Sequence, residues 1–234
     1  MTIRKRLARS NLAMLVIPIF AAALLLLLGT AGVWLFEHDN PLTLGALPLG
    51  QQLQAALFQS VTTRTAGFAT VPQENLRNPT ALLSLLLMFI GGSPVGTAGG
   101  VKTVTIAVLA ASALSAIRNK RDTVLFHRTV PRPAVAKAVA VTGMSFTICF
   151  LSTLLLSAMA DASALDILYE TISATATVGL TRSLTPLLNV WGKIIIIVTM
   201  YLGRVGPISL AVAFGTRRQA ENLIKEPTEE ISVG

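Results

Sequence analysis

Two stretches of one pattern, Thr65-Ala66-Gly67-Phe68 and Thr177-Val178-Gly179-Leu180, lie about 112 residues apart in an apolar chain. Each follows a hydrophobic segment of about ten residues, half of the ~20 that a helix needs to cross a bilayer. A short helix that enters a membrane and stops there is typical of a re-entrant loop. In such a loop, backbone carbonyls can replace the water around a dehydrated potassium ion, and glycine permits the φ values that aim them. One such motif predicts little, but two copies at the same place in a repeat indicate a pore.

The composition places this chain among membrane proteins. It has 234 residues, of which 53% are hydrophobic and 13% are charged, whereas soluble domains carry about 25% charged residues. The formal net charge of +8 could suggest nucleic acid. However, the charges cluster at the ends of apolar segments, so we expect no nucleic-acid partner. Cys149 is the only cysteine, so no disulfide can form within the chain.

The apolar segments predict an all-α polytopic membrane protein built from two repeats. Four segments are long enough to span: Leu12–Phe36, Thr80–Ile117 (interrupted in its middle), Ala134–Ala160 and Leu187–Phe214. The two half-length segments are Leu53–Thr63 and Leu165–Ala174. The order is therefore span, re-entrant pore helix, turn and span, twice over. We assign residues 1–118 to the first pore repeat, 119–135 to a basic cytoplasmic linker, 136–218 to the second repeat and 219–234 to a cytoplasmic tail.

The basic residues predict the orientation, because cytoplasmic loops of membrane proteins are rich in Lys and Arg. They precede the first span, separate the second from the third, and follow the fourth: Arg4, Lys5, Arg6 and Arg9, then Arg118, Lys120, Arg121, Arg128, Arg132 and Lys137, then Arg217 and Arg218. All three groups share one side only if there are four crossings and both half-helices return outward. Both termini are then cytoplasmic. The linker either rests near anionic headgroups or contacts a cytoplasmic partner.

A glycine-rich loop interrupts the second span. It runs from Gly91 to Gly100 and includes Gly91, Gly92, Ser93, Pro94, Gly96, Gly99 and Gly100. Glycine costs a helix about 1 kcal/mol and an interior proline about 3 kcal/mol relative to alanine. Irregular backbone at membrane depth is tolerated only where protein buries it or it lines water. We interpret the segment as a gate loop beneath the turns, with close helix packing of the GxxxG kind as the alternative.

Arg204 lies within the fourth apolar segment, where an arginine costs about 2.5–3.5 kcal/mol on insertion scales. The 112-residue shift that aligns the turns also places Gly203 on Gly91, so Arg204 is expected at the depth of the glycine-rich loop. Its five donors suit loop carbonyls, and we interpret it as a latch for that loop; snorkelling to the interface is the alternative. Arg64 and Arg182 flank the turns and are expected to donate to carbonyls behind them.

The chain contains no recognisable catalytic constellation, metal-ligand cluster or phosphate loop, so we expect neither an enzyme nor a bound cofactor. The expected substrate is the potassium ion itself. The backbone carbonyls of both turns would bind it: Thr65, Ala66, Gly67, Thr177, Val178 and Gly179.

Taken together, four stretches resemble the TrkH/KtrB family of potassium uptake proteins, within the Trk/Ktr/HKT superfamily. They are Phe58 to Phe68, Gly91 to Lys102, Ala174 to Leu180 and Gly203-Arg204-Val205-Gly206-Pro207. The resemblance implies four span–pore helix–span repeats around one pore, with a filter glycine in each. It also implies an intramembrane gate loop in the third repeat and an arginine in the fourth. Gly67 and Gly179 would then be the third and fourth filter glycines.

This chain carries two repeats where the family has four, which makes it resemble the C-terminal half. A split or truncated gene, a partial sequence, or two chains meeting would each account for this, and we favour truncation. The leading interpretation is a potassium-uptake subunit of a bacterial plasma (inner) membrane. The alternative is a non-conducting remnant or assembly subunit. The resemblance further implies a cytoplasmic nucleotide-binding regulatory ring and a missing pore half as partners.

Overall fold

The computed structural model describes residues 3–93, 98–120, 122–125 and 128–205; for residues 3–18, 125 and 128 it describes the backbone alone. This part of the chain is mainly helical. Its helices are α1 (Ile3–Glu37), α2 (Leu49–Thr62), α3 (Asn78–Phe89), α4 (Thr103–Ile117), α5 (Arg132–Ser157), α6 (Ala164–Thr175) and α7 (Val190–Val205). Short 3-10 turns at Gln73–Asn75 and Thr185–Leu187 follow the two Thr-x-Gly turns.

The order of helices repeats along the chain. In each half a long helix precedes a short one, a Thr-x-Gly turn and then another helix: α1, α2 and α3 first, and α5, α6 and α7 second. Helix α2 packs on α1, α6 packs on both α5 and α7, and α3 crosses to pack on α6 of the other half. The α3–α6 contact therefore joins the two halves.

The interrupted segment is two helices rather than one. Helix α3 ends at Phe89 and α4 begins at Thr103, so the glycine-rich loop separates them as the composition predicts. Of the described helices, two are long and apolar enough to cross a membrane, α5 and the Ile19–Glu37 part of α1. Helices α3 and α4 are shorter apolar helices. The last nine residues of the fourth predicted span, and the tail, lie outside the described residues.

The basic linker contains a small antiparallel ribbon, which is the one two-stranded sheet in the described part of the chain. Strand β1 (Val124–Leu125) pairs with β2 (Arg128–Thr129), with Val124 opposite Thr129. Two-residue strands contribute little stability by themselves. They close the linker into a hairpin between α4 and α5.

Close approach of backbones holds α1 against the rest of its repeat. A β-carbon placed on Gly29 would lie 2.3 Å from the Ser60 hydroxyl of α2, and one on Gly32 would lie 2.5 Å from a methyl of Leu83 in α3. The Ser60 hydroxyl donates to the Leu26 carbonyl across the same contact (3.0 Å). Small residues and interhelical hydrogen bonds are how helices associate where the hydrophobic effect is absent.

Three buried apolar clusters form the interior. One lies between α3, α6 and the second turn, and a second lies among α5, α6 and α7. The third joins α1, α2 and the segment that returns from the first turn. Large apolar side chains also cover outer helix faces, for example Phe146 and Phe150 of α5, which are 63% and 57% exposed. A surface this apolar is unusual for a soluble monomer.

Candidate functional site

The two Thr-x-Gly turns adopt the same unusual backbone. Thr65 and Gly67 have φ values of 66° and 76°, and Thr177 and Gly179 have 53° and 96°. The middle residues, Ala66 and Val178, do not have positive φ. A positive φ is strained for a β-branched residue such as threonine and marks positions that the surroundings must hold in place. Residues that alternate between left-handed and ordinary backbone can turn successive carbonyls to one side, as carbonyl-lined ion filters require.

Each turn is closed by hydrogen bonds to the helix that precedes it. In the first turn, the amides of Ala66 and Gly67 donate to the Thr62 carbonyl (3.1 and 3.3 Å). The Thr62 hydroxyl also donates to the Phe68 carbonyl (2.6 Å) and accepts from the Phe68 amide (2.9 Å).

In the second turn, Ser173 has the corresponding role. Its hydroxyl accepts from the Gly179 amide (3.2 Å), and its carbonyl accepts from the Val178 amide (2.8 Å). The structure shows that Thr62 and Ser173 brace the turns.

The two turns lie next to each other. A β-carbon on Gly67 would lie 2.3 Å from the Val178 carbonyl oxygen, a distance that no side chain could occupy. At Gly179 the nearest heavy atom to such a carbon is the Gly67 Cα at 3.7 Å, an ordinary contact. Gly67 is therefore required by both its φ and its neighbour, and Gly179 by its φ alone. The structure thus brings Thr65–Gly67 and Thr177–Gly179 together, as the repeat pattern predicts.

Packing around the two turns differs. Val178 and Leu180 are 4% and 3% exposed and lie in the cluster that contains Ala81 and Met88 of α3. Phe68, which occupies the position of Leu180 in the repeat, is 71% exposed. Helix α3 of the first repeat therefore packs against the second turn. In the described chain, no helix packs against the first turn at the corresponding position, Phe68.

A buried polar network links the first turn's return segment to the second pore helix. The Gln59 and Gln73 side chains exchange two hydrogen bonds (2.7 and 3.1 Å), and the Tyr169 hydroxyl donates to Gln73 (3.0 Å). All three residues are at most 3% exposed. None of the three was singled out from the sequence. Amide side chains within apolar segments are the signal that could have found them, because buried polar groups need partners.

Arg182 also ties the two repeats together. It forms an ion pair with Asp166 (2.7 Å) and donates to the carbonyls of Gln73 and Leu76 (2.9 and 3.2 Å). Burial at the start of α6 raises the pKa of Asp166, but hydrogen bonds from Arg182 and Ser163 outweigh it and hold that pKa below its usual value. Arg182 thus donates to loop carbonyls, as the sequence predicts.

Glu170 fixes the segment that follows the second turn. Its carboxylate, in a residue that is 6% exposed, accepts hydrogen bonds from the hydroxyls of Thr181 (2.6 Å) and Thr185. This buried acid was not singled out from the sequence.

The glycine-rich loop has a closed neck. The Gly91 amide donates to the Val101 carbonyl (2.9 Å), and the Val101 amide donates to the Phe89 carbonyl (3.0 Å). On the far strand of the loop the Lys102 ammonium donates to the Ala98 carbonyl. Gly91, Gly92, Ser93, Gly99 and Gly100 are thereby placed; Pro94 and Gly96 lie outside the described residues.

The loop lies against the second turn. A β-carbon on Gly99 would lie 2.2 Å from the Thr177 hydroxyl oxygen and 2.4 Å from the Ala176 carbonyl oxygen. At the start of the loop, Arg64 Nη1 donates to the Ile90 carbonyl (2.6 Å). Both turns therefore have contacts with the loop that the sequence placed near them.

Arg204 lies in the last described turn of α7, and its side chain is exposed. It is close enough to Lys102 for the two positive charges to repel each other, which puts it near the C-terminal end of the glycine-rich loop. The adjacent Gly203 meets the end of α6, since a β-carbon there would lie 2.1 Å from the Thr175 carbonyl oxygen. Its role as a latch stays a prediction.

In the part of the chain that the structure describes, no three or more His, Cys, Asp or Glu residues gather in a way that could hold a metal ion. The oxygen atoms at the candidate site are backbone carbonyls and hydroxyls. Such neutral oxygens suit a weakly hydrated monovalent cation, which must bind and leave again.

Comparison with known proteins gives one consistent family. The model of the TrkH family, described as cation transport protein, matches residues 8–225. The chain is 42% identical over 202 residues to Ktr system potassium uptake protein B of Bacillus subtilis, covering 86% of this chain and 45% of that protein. It is also 42% identical over 218 residues to the protein of the same name from Vibrio alginolyticus, covering 93% and 48%.

A further relative is the potassium/sodium uptake protein NtpJ of Enterococcus hirae, which is 34% identical over 215 residues, covering 90% of this chain and 48% of that protein. The fold resembles the crystal structure of the potassium transporter TrkH from Vibrio parahaemolyticus, with a TM-score of 0.68 and 22% identity over 83% of this chain and 42% of that one. The chain spans about half the length of each of these relatives. By the family match and these identities, the chain belongs to the TrkH family of cation transport proteins.

Proposed function

We propose that this chain forms half of a membrane pore that conducts potassium ions. The observation that carries the proposal is the shared backbone of the two turns, with positive φ at both Thr65 and Gly67 and at both Thr177 and Gly179. The positive φ is costly at the two threonines, about 1–3 kcal/mol for each of Thr65 and Thr177. Its repetition is explained if the carbonyls of these turns must face one axis and replace the water of a potassium ion.

Two turns supply only part of a carbonyl ring, so the pore needs two more repeats, from another chain or a second copy. Helix exposure supports this. Met88 of α3 is fully buried behind the second turn, whereas Met200, its counterpart in α7 by the 112-residue shift, is 45% exposed. Phe68 of the first turn is also exposed, whereas its counterpart Leu180 is buried. The two repeats of this chain therefore share one complete interface. The exposed surfaces of α7 and of the first turn are proposed to form further interfaces with the missing repeats.

The glycine-rich loop is proposed as the gate below the filter, and Arg204 as its latch. Contact of Gly99 with Ala176 and Thr177 supports a position next to the filter. In the proposed orientation both termini and the β1–β2 hairpin face the cytoplasm of a bacterial cell. The hairpin and the C-terminal tail are then the surfaces available to a cytoplasmic nucleotide-binding ring.

The test is potassium uptake in cells that lack their own potassium transporters. The chain expressed alone should restore no uptake unless two copies associate, because half of each carbonyl ring cannot replace a hydration shell. Co-expression with a chain that provides two further Thr-x-Gly repeats should restore it. Uptake by the chain alone, with only monomers on blue native gels, would overturn the proposal that the pore needs four repeats.

The alternative function is that of a non-conducting assembly subunit. The same cells separate the two functions. If the chain is an assembly subunit, replacing both Gly67 and Gly179 in the co-expressed complex should leave potassium uptake unchanged. If the chain is half of the pore, the same replacement should abolish uptake.

A further inference from the structure

One arginine connects the first turn to the glycine-rich loop. Arg64 directly precedes Thr65 and donates from Nη1 to the carbonyls of Ile90 (2.6 Å) and Gly91 (3.5 Å). Its second terminal nitrogen, Nη2, is buried and has no hydrogen-bond partner among the described residues. Neither of the two ion pairs in that part of the chain involves Arg64. A partly buried guanidinium that, among the described residues, is held by carbonyls alone is an expensive way to fix a backbone, which indicates that the position of that backbone matters.

The two carbonyls belong to the neck of the loop. Gly91 donates its amide to Val101, and Val101 donates its amide to Phe89, so the chain leaves and re-enters the helical region through paired backbone. Arg64 therefore binds the outgoing strand of the neck at the residues where the pairing begins. The guanidinium fixes the distance between this neck and the first turn.

The second repeat uses the equivalent position differently. By the 112-residue shift, Arg64 corresponds to Ala176, which is 1% exposed. There the small residue lets Gly99, on the returning strand of the loop, reach the backbone of the second turn. Arg64 of the first repeat thus contacts the outgoing strand of the loop, and the second repeat, at Ala176, contacts the returning strand. This asymmetry is expected if a single loop must be held between two otherwise equivalent turns.

The hydrogen bonds of Arg64 also affect the backbone of the next residue, Thr65. Its φ of 66° is strained for a β-branched residue and persists only while its neighbours hold it. Arg64 is the adjacent residue, and the hydrogen bonds of its side chain to the neck restrain the chain on one side of Thr65. If that restraint is lost, Thr65 can relax to an ordinary φ, and its carbonyl turns away from its neighbours.

We propose that Arg64 is a positioning residue for ion preference: it ties the neck of the glycine-rich loop to the first turn and so keeps the Thr65 carbonyl in line. This inference rests on the proposed potassium pore. It does not require Arg64 to touch the ion.

The first experiment measures hydrogen–deuterium exchange of the complete transporter that contains this chain. In Arg64→Gln, peptides that cover residues 86–93 and 98–103 should exchange about ten- to a hundredfold faster, because charge-assisted hydrogen bonds to the neck are lost. Arg64→Lys, which keeps the charge without the planar fork, should show a smaller increase. Arg182→Gln is the matched control. It should speed exchange of residues 73–77 and leave the neck unchanged.

The second experiment measures the preference for potassium over sodium by competition uptake with the same variants. Arg64→Gln should lower the preference about tenfold or more, and Arg64→Lys should retain part of it. Unchanged exchange at the neck in Arg64→Gln would overturn the anchoring role. Faster exchange with an unchanged ion preference would overturn the positioning role. A wild-type complex that takes up no potassium would refute the proposed function and the ion-preference claim, while exchange would still decide whether Arg64 holds the neck.

Discussion

At the scale of single residues, the turns combine two kinds of constraint. Thr65 and Thr177 hold a strained φ that hydrogen bonds to the preceding helix maintain, whereas Gly67 and Gly179 adopt positive φ at little cost. The hydroxyls of Thr62 and Ser173 complete the restraint. The backbone conformation of each turn is therefore held by its glycine and by hydrogen bonds to the preceding helix.

The two glycines should respond differently to alanine. Both Gly67→Ala and Gly179→Ala introduce strain, but only Gly67→Ala forces a β-carbon to within 2.3 Å of the Val178 carbonyl oxygen. Both variants should reduce the preference for potassium over sodium in the complete transporter. Gly67→Ala should also lower the free energy of unfolding by about 1–3 kcal/mol more than Gly179→Ala does. Competition uptake and thermal unfolding in detergent would measure the two effects.

Gly50 provides the control, since a β-carbon there meets nothing within 4 Å and its φ is ordinary. Gly50→Ala should leave both ion preference and stability at or above the wild-type level. Equal loss of stability in Gly67→Ala and Gly179→Ala would contradict the close approach of the two turns.

At the scale of elements, the sequence predicted the short helices before the turns to within a few residues. Helix α2 begins at Leu49, directly after Pro48 and four residues earlier than predicted. Helix α6 begins at Ala164, where the Ser163 hydroxyl accepts from the Asp166 amide. Helical periodicity and apolar length are local signals, so these elements and the break between α3 and α4 could be read directly.

The contacts that hold the site were less predictable, because they join residues far apart in the chain. The Tyr169 hydroxyl meets Gln73 across 96 positions, and Arg64 meets Ile90 across 26. The sequence placed Arg64 and Arg182 near carbonyls but could not say which ones. Glu37, fully buried at the end of α1, accepts from Asn40, Thr43 and the Arg77 amide, and nothing in its local sequence indicated this.

The latch hypothesis for Arg204 belongs to this scale, because it concerns how α7 meets the glycine-rich loop. If Arg204 donates to loop carbonyls, removing about 1.5–3 kcal/mol of charge-assisted hydrogen bonding should raise the ratio of open to closed pores roughly ten- to a hundredfold. Arg204→Ala should therefore raise flux per transporter in the complete complex, and Arg204→Lys should restore the wild-type flux only in part. The measurement is flux normalised to protein in the membrane. A lower protein level with unchanged flux per molecule would show that Arg204 supports folding instead.

At the scale of the whole molecule, the proposed pore makes this chain one half of a ring. The first and second repeats meet through α3 and α6, while α7 and the first turn each expose the surface that the other repeat buries. A heterologous interface of this kind either closes into a ring or continues without end. Two more repeats would close it and would bring four turns around one axis.

The most direct test of the account is to locate the ion. Thallium(I) has a charge and size close to those of potassium and scatters X-rays anomalously. A crystal of the complete transporter prepared in thallium should show anomalous density on the axis between the carbonyls of Thr65–Gly67 and Thr177–Gly179, and excess sodium should not displace it. Density only elsewhere in the protein, or none between the turns at a saturating concentration of thallium, would contradict the claim that these turns are the ion filter.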